Sequence, residues 1–413
     1  MEGTVQFSVI IPVFNKWALT RNCLASLQEH TRGYTFEVIV LDNASCDETA
    51  TELEPYGKSL FGPYFTAIVF PENQNFGPAC NAGAVVAKAP LLLFLNNDTV
   101  LTPDWAAPLL EALVNDASLG AVGPLLLYSN GTVQHLGVTY SPLGTRHLYM
   151  RFPGNHPLIH TRRNLQFITA ACMLMPKTLF VTCGQFYKGY RNGFEDTELC
   201  VHIQRQGKRL GCITSSTVYH LESQTPGRKD SEAANGELLQ QRCGKDIFID
   251  VHHHAARDGL DVAVNDFMGL SILMKPKDEQ ALLAHPMTEW SAFIDANPLW
   301  LGGRKRLAEH YERQGDQAQA MMLRVHIAEI FPTLEHYRQL AATAQRAGCT
   351  EAFMVQIGEG LQKTKRYRTD TAFARQRFRM LQPFIHDKDM ALEILYKNKL
   401  KEWRNCTQTS LRT

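Results

Sequence analysis

A chain of 413 residues is longer than one hydrophobic core comfortably serves, so two domains are expected. With 45% hydrophobic and 20% charged residues it has the composition of an ordinary globular protein, and a formal net charge of +1 supplies neither a global basic field for nucleic acid nor an acidic tail. Met1-Glu2-Gly3-Thr4-Val5-Gln6 lacks the basic and apolar regions of a signal peptide, and no run approaches the roughly 18 to 20 apolar residues of a bilayer span. The ten cysteines are scattered without a Cys-x-x-Cys pair, so reduced core thiols in a cytoplasmic protein are expected.

Phe7 to Ile11 is a β-branched run stopped by Pro12, and Trp17, Leu19, Cys23, Leu24 and Leu27 follow at helical spacing. Phe36 to Leu41 predicts a second buried strand that delivers Asp42 at its carboxyl end. Ser45 and Glu48 have the spacing of a capping box, so a helix is expected from there toward Leu53. Thr66 to Phe70 is a third strand, and the small and polar run Asn73 to Gly83 leads into a helix through Pro78. Leu91-Leu92-Leu93-Phe94-Leu95 then reads as a strand buried on both faces, ending in Asn96-Asn97-Asp98.

Strands alternating with helices predict an α/β fold with a mostly parallel central sheet, in which Asp42, Asn73, Asn81 and Asp98 share one crevice at the carboxyl edge. Two readings of Asn96-Asn97-Asp98 stand side by side. It is either a solvated turn, since Asn and Asp are common turn residues, or an oxygen-rich site for Mg²⁺ or Mn²⁺ carrying phosphates. Neither a Gly-x-Gly-x-x-Gly fingerprint nor a Walker lysine loop is present, so phosphates in such a crevice depend on a metal.

Val9-Ile10-Ile11-Pro12-Val13-Phe14-Asn15, the turn Asp42-Asn43-x-Ser45-x-Asp47, the Asn73-to-Gly83 loop and Phe94-Leu95-Asn96-Asn97-Asp98-Thr99 resemble, in order and spacing, glycosyltransferase family 2 with its GT-A (Rossmann-like) fold. The resemblance covers about the first three-fifths of the chain. It implies that Pro12, Val13 and Phe14 line the base pocket, that Asp42 accepts from the imide N–H of a pyrimidine, and that Asn96-Asn97-Asp98 stands in the place of an Asp-x-Asp metal motif with Asp98 as the ligand. Asn75 replaces a glycine of the family's loop, and Asn is the residue that best tolerates a left-handed backbone.

Downstream, Thr102-Pro103-Asp104-Trp105 opens a helix with Thr102 as the expected N-cap. Leu119 to Tyr128 and Gly131 to Tyr140 read as strands of a hairpin turning at Ser129-Asn130-Gly131. Gly131-Thr132-Val133-Gln134-His135-Leu136-Gly137 resembles a segment of rhamnosyltransferase-like members, and His135 reads more simply as structural. Ser141 to Arg163 reads as a mobile loop over a cleft. Phe167 to Met175 is a further strand.

Glu195 and Asp196 open a helix that stops at Gly207, where acids suit the positive end of the dipole. The resemblance gives them another role, with Asp196 as general base toward the acceptor hydroxyl and Glu195 orienting substrate. Gly184-Gln185-Phe186-Tyr187-Lys188 departs from the family's Gly-Gly-Phe-Asp-Glu lead-in, which puts the acceptor side of the pocket in question. Ser216 to Ser223 is a strand into a polar loop. There His220 is either a hydrogen-bonded core histidine or, as the resemblance implies, a second metal ligand.

The two domains are therefore placed at 1–244, catalytic, and 245–413, mainly helical. Strand signals become rare after Lys245. The run His252-His253-His254 is of a kind that binds metal, but with no cysteine or carboxylate partner at useful spacing it reads as a solvated segment. Leu307-Ala308, Tyr311, Gly315, Ala320 and Pro332, echoed by Leu340-Ala341 and Gly348, fall at spacings similar to a tetratricopeptide repeat, with structural support as the plainer reading.

The function expected is an inverting, metal-dependent glycosyltransferase. Its donor is a UDP- or dTDP-sugar, and its acceptor a hydroxyl of a glycan, a lipid-linked glycan or a protein. It works in the cytoplasm, with peripheral membrane association and a protein partner on the helical domain left open. Two rivals are a nucleotidyltransferase, which lacks here its Gly-rich phosphate loop, and a scaffold whose sugar-nucleotide site is vestigial.

Overall fold

The computed structural model describes residues 4–141, 144–221, 231–382 and 389–410. The chain divides into two compact units, Met1–Thr139 with Arg146–Ile247, and Tyr140–Thr145 with Phe248–Thr413.

In the first unit β1 (Phe7–Val13), α1 (Trp17–His30), β2 (Phe36–Asp42), α2 (Thr49–Phe61), β3 (Phe65–Val69), α3 (Phe76–Val86) and β4 (Leu91–Leu95) alternate. The strands lie side by side as β3-β2-β1-β4, all parallel, so their carboxyl ends share one edge. Leu92 to Leu95 have no exposed surface, as expected of a strand covered on both faces. β1 does not stop at Pro12. Its pairing with β4 ends at Ile10, whereas pairing with β2 continues to Val13, so the proline lies where only one neighbour remains.

Further along come β5 (Thr99–Leu101), α4 (Ala106–Asn115), β6 (Leu119–Leu127), β7 (Val133–His135), β8 (Val138–Ser141), β9 (Gly144–His147), β10 (Cys172–Pro176), α5 (Lys177–Thr182), α6 (Glu195–Arg205), β11 (Arg209–His220) and α7 (Glu232–Cys243). β10 inserts antiparallel between β4 and β6, while β11 runs parallel to β6 and antiparallel to β5. The sheet order becomes β3-β2-β1-β4-β10-β6-β11-β5 with β7 on β6, parallel in its first four strands and mixed beyond them. This directionality brings the start of β10 and the end of β11 to the same edge as the ends of β1, β2 and β4.

Several local expectations change. α2 begins at Thr49 without the Ser45/Glu48 capping box, because the Ser45 hydroxyl accepts instead from Asn15 N at 2.8 Å. Thr102 is not an N-cap; its hydroxyl donates to the Thr217 carbonyl of β11 at 2.7 Å, and α4 starts at Ala106. The hairpin after β6 is present, but its return strand is broken at Gly137, whose φ of 104° leaves the strand region. The stretch read as a mobile loop carries β9 and buries Leu148, Tyr149, Phe152 and Ile159. Residues 222–230, which hold the end of the polar loop after β11, lie outside the described residues.

The second unit holds α8 (Val251–Arg257), a hairpin of β12 (Asp261–Val264) and β13 (Leu270–Leu273), then α9 (Pro276–Leu283), α10 (Trp290–Ala296), α11 (Leu301–Gln314), α12 (Gln317–Ile330), α13 (Leu334–Arg346), α14 (Glu351–Thr369), α15 (Thr371–Leu381) and α16 (Met390–Ser410). The hairpin was not expected. Its alternation is interrupted by the buried polar pair Asn265-Asp266, which serves the fold: Asp266 accepts from Leu334 N at 2.9 Å and from Trp403 Nε1 at 3.3 Å, and pairs with Lys399 at 3.2 Å. α11 ends on Gly315 and the turn after α13 uses Gly348, both with positive φ, as the spacing of those glycines suggests. The His252-His254 segment is only partly solvated, since His252 and His254 are buried within α8 while His253 is exposed.

Among the described residues no helix is long and apolar enough to cross a membrane, and the cysteines are free thiols.

Candidate active site

Several of the polar residues singled out by sequence lie at the shared edge of the sheet. Antiparallel pairing of β5 with β11 sets His220 opposite Thr99, and Leu221 N donates to the Asp98 carbonyl at 2.9 Å, locking the two segments in register. As a result His220 Nε2 lies 3.1 Å from Asp98 Oδ1 and 3.3 Å from Asn96 Nδ2. On its other side, His220 Nδ1 is 2.9 Å from Gln134 Oε1, and both of these side chains are buried. In the tautomer that donates from Nδ1 to Gln134, the Nε2 lone pair faces a carboxylate oxygen. Two lone pairs at that distance repel, so Asp98 and His220 are the residues that would hold a divalent cation, and its charge would relieve the repulsion.

Asp196 is tied to the same place through the start of β10. Its Oδ2 accepts from Ala170 N at 3.0 Å and its Oδ1 from Thr197 N at 2.8 Å, which fixes the carboxylate's orientation. One residue along, the Ala171 carbonyl accepts from Asn96 N at 2.9 Å. A single peptide step thus joins the Asp196 carboxylate to the backbone of Asn96-Asn97-Asp98. Glu195 is buried, and its Oε2 accepts from Gly193 N at 2.7 Å, bracing the turn that leads into α6.

Two strands away, Pro12 and Val13 sit opposite Leu41 and Asp42, and the two loops that follow are laced together. Asn43 N donates to the Val13 carbonyl, Cys46 N to Asn15 Oδ1 at 2.8 Å, and Trp17 N to Asp47 Oδ2 at 3.0 Å. Asp42 is buried with Oδ1 accepting from Ser45 N at 2.9 Å, whereas Phe14 is 43% exposed. Asn73, itself exposed, turns its Oδ1 back onto Asn75 N at 2.8 Å. Asn75 has φ 65° and ψ 178°, not the left-handed helical conformation anticipated but an extended one with positive φ, a region occupied almost only by glycine.

Two of the polar candidates serve the framework. Asn81 donates to the Phe186 carbonyl at 2.8 Å and accepts from Phe186 N at 3.1 Å, using both ends of its amide on one residue's backbone. Asn97 Nδ2 turns away to Thr20 Oγ1 in α1 at 2.9 Å.

Other contributors gave no sequence signal. Glu198, one turn into α6, is gripped by Arg242 of α7 through Oε1 at 2.7 Å and by the Tyr190 hydroxyl at 2.7 Å. Burial works against its charge, yet the guanidinium and hydroxyl outweigh it and hold the carboxyl below the usual range. Arg242 also stacks on Tyr187 at 3.4 Å from the ring centre, and Asn235 bonds the backbone of Arg191 and Gly193. Together these contacts clamp the loop carrying Glu195 and Asp196. His135 Nδ1 lies 2.9 Å from His147 Nδ1; burial first, then the neighbouring His147 and His220, push the His135 pKa well below the usual histidine value. Gln134, His135 and Tyr187 did lie in segments quoted above, whereas Glu198, Arg242, Tyr190 and Asn235 had no such cue.

Part of this sequence is similar to known proteins. A family model described as glycosyl transferase family 2 matches residues 8–182. Residues 8–182 of this chain are thus similar to that family. The O-antigen biosynthesis protein RfbC of Myxococcus xanthus is 33% identical over 234 residues, covering 54% of this chain and 18% of that protein. Validoxylamine A glucosyltransferase of Streptomyces hygroscopicus is 35% identical over 108 residues, 25% of each chain. The chain therefore spans a fifth to a quarter of the length of these curated relatives. Among solved structures, S. aureus TarS residues 1–349 aligns over 88% of this chain and 91% of that one, with a TM-score of 0.44 and 15% identity.

Proposed function

We propose that this chain is a family 2, inverting glycosyltransferase that moves a sugar from a UDP- or dTDP-sugar to a hydroxyl of a glycan, a lipid-linked glycan or a protein. The observation that carries this reading is the meeting of Asp98 Oδ1 and His220 Nε2 at 3.1 Å on the sheet edge that also anchors Asp196 through Ala170.

One carboxylate oxygen and one imidazole nitrogen suit a divalent cation such as Mn²⁺ or Mg²⁺ that takes its remaining ligands from water and phosphate oxygens. When bound, such a cation supplies charge for the diphosphate leaving group. The rest of the chemistry rests on this chain's own side chains. Pro12, Val13 and Phe14 form one wall of the base pocket, and Asp42, held by Ser45 N, accepts from the base imide. Asp196 takes the proton from the acceptor hydroxyl as that oxygen attacks the anomeric carbon. The bond from that carbon to the diphosphate breaks on the opposite face, and the nucleoside diphosphate departs with the electron pair. Glu195 acts by bracing Gly193, so that Asp196 keeps its aim. Asn96 and Asn73 remain in the donor set; Asn81 and Asn97 are assigned to the framework because their amides are already engaged.

We read α11 to α14 as two tetratricopeptide-like hairpins, supported by buried Leu307, Ala308, Ala320 and Leu340 at the repeat positions and by the glycine turns.

A panel of sugar nucleotides, each incubated with the chain and Mn²⁺ and assayed for released nucleoside diphosphate, tests the reading. Turnover with a UDP- or dTDP-sugar that Asp98→Asn and Asp196→Asn abolish is expected. Nucleoside diphosphate release that is unchanged in both variants refutes the site assignment.

A further inference from the structure

Away from the sheet edge, the described residues contain two triplets of metal-capable side chains. The first, Glu198, His202 and Cys243, is already engaged: Glu198 is held by Arg242 and Tyr190, and His202 Nδ1 lies 2.8 Å from the Cys183 carbonyl. The second, His252, His253 and Asp389, is built differently.

His252 and His253 are consecutive on α8, where neighbouring side chains point roughly 100° apart and do not normally meet. Here both rings turn to one carboxylate. Their centroids are 4.0 Å apart, His253 Nε2 is 3.4 Å from Asp389 Oδ2, and His252 Nε2 makes a short contact with the same oxygen. The three ligand atoms all lie within 4.8 Å of one another. The other carboxylate oxygen, Oδ1, accepts from Leu392 N at 3.1 Å and caps the start of α16, so Oδ2 alone faces the histidines.

Two further facts single out this triplet. His253 has 59% of its side chain exposed, so water satisfies it in any outward rotamer, yet it turns in. His252 is buried with an Nδ1 that has no hydrogen-bond partner among the described residues, so whatever compensates its burial acts at Nε2.

We propose that His252, His253 and Asp389 bind a divalent transition-metal ion of the Zn²⁺ class, fastening the start of α16 to α8. Two imidazole nitrogens and one carboxylate oxygen are a donor set that zinc accepts with water in the fourth position, whereas Mg²⁺ and Ca²⁺ prefer all-oxygen sites. The consequence is structural, because α16 contributes Leu392, Tyr396 and Trp403 to the core of the second unit.

The test uses the full chain, stripped with a chelator and titrated with Zn²⁺, and with Co²⁺ for its visible spectrum. An Asp98→Asn background removes the carboxylate of the sheet-edge site. The expected result is one equivalent of zinc, a Co²⁺ spectrum with nitrogen ligation, and a raised melting temperature. His253→Gln changes an exposed residue, and Asp389→Asn keeps an oxygen for the Leu392 cap. Each should weaken zinc binding by about tenfold or more while the metal-free melting temperature stays close to that of the parent. Zinc binding equal to the parent in both variants, or no saturable binding by the Asp98→Asn chain at micromolar zinc, overturns the proposal.

Discussion

Replacing Gln134 by Leu removes the acceptor of His220 Nδ1 and little else, since the two side chains have similar volume. Both partners are buried, at 3% and 4% exposure, and the contact is 2.9 Å. The donor left behind has no water to turn to, which costs about 1–3 kcal/mol of stability, read as a lower urea midpoint at unchanged slope. The larger consequence is for the tautomer. Without Gln134 the proton is free to move to Nε2, where the Asp98 carboxylate 3.1 Å away receives it, and the lone pair meant for a cation is lost. Loss of such an outer contact typically weakens metal binding about 10–100-fold. Manganese titration followed by the electron paramagnetic resonance of free Mn²⁺ measures this, with Gln134→Glu as the variant that keeps an acceptor and therefore keeps the affinity. If Gln134→Leu binds Mn²⁺ as tightly as the parent while its urea midpoint falls, the Nδ1 contact does not set the state of His220 and the reasoning fails.

Asn75→Gly relieves a backbone conformation at φ 65°, ψ 178° that glycine accepts readily; a gain of about 1 kcal/mol is expected in chemical denaturation, and a loss of stability would show that the Asn side chain compensates the strain. Arg242→Ala strips the buried Glu198 of its cation. A removed partner costs about 3–5 kcal/mol when fully buried, which we reduce to roughly 2–3 because the Arg242 side chain is 34% exposed and screened. Thermal unfolding should show the drop, and an unchanged melting temperature would mean that Tyr190 suffices. Because the folded His135 resists protonation, the unfolded chain binds that proton first. The stability this histidine confers is therefore present above about pH 6.5 and lost as pH falls below it. Replacing His135 with Gln should flatten the acid limb of a stability-pH curve by up to about 1.4 kcal/mol per pH unit. Burial also lowers the pKa of His252 and His336, which leaves part of the limb in place, and an unaltered limb would refute the assignment to His135.

The first half of the sheet was legible because a strand buried on both faces must be apolar throughout. Leu91 to Leu95 and Phe36 to Leu41 announce themselves, and the polar residues that end them follow at the carboxyl edge. Glu195 and Asp196 were legible as a helix start for the same local reason. Partners chosen across the fold were not. Whether Ser45 caps α2 or serves Asn15, and whether Thr102 caps α4 or reaches β11, depends on which backbone arrives beside them, and spacing along the chain carries no record of that.

The sequence by itself determined the buried strands of the parallel half and which carboxylates follow them, because burial and helix dipoles act over a few residues. Only the tertiary structure decided that β10 runs antiparallel into the sheet and that β11 returns beside β5. Those two choices bring His220 to Asp98, and the Ala170-Ala171 backbone that holds Asp196 to Asn96, across sequence separations that hydrophobic periodicity cannot span. The same holds in the second unit, where Asp389 reaches His252 only because α16 folds back onto α8.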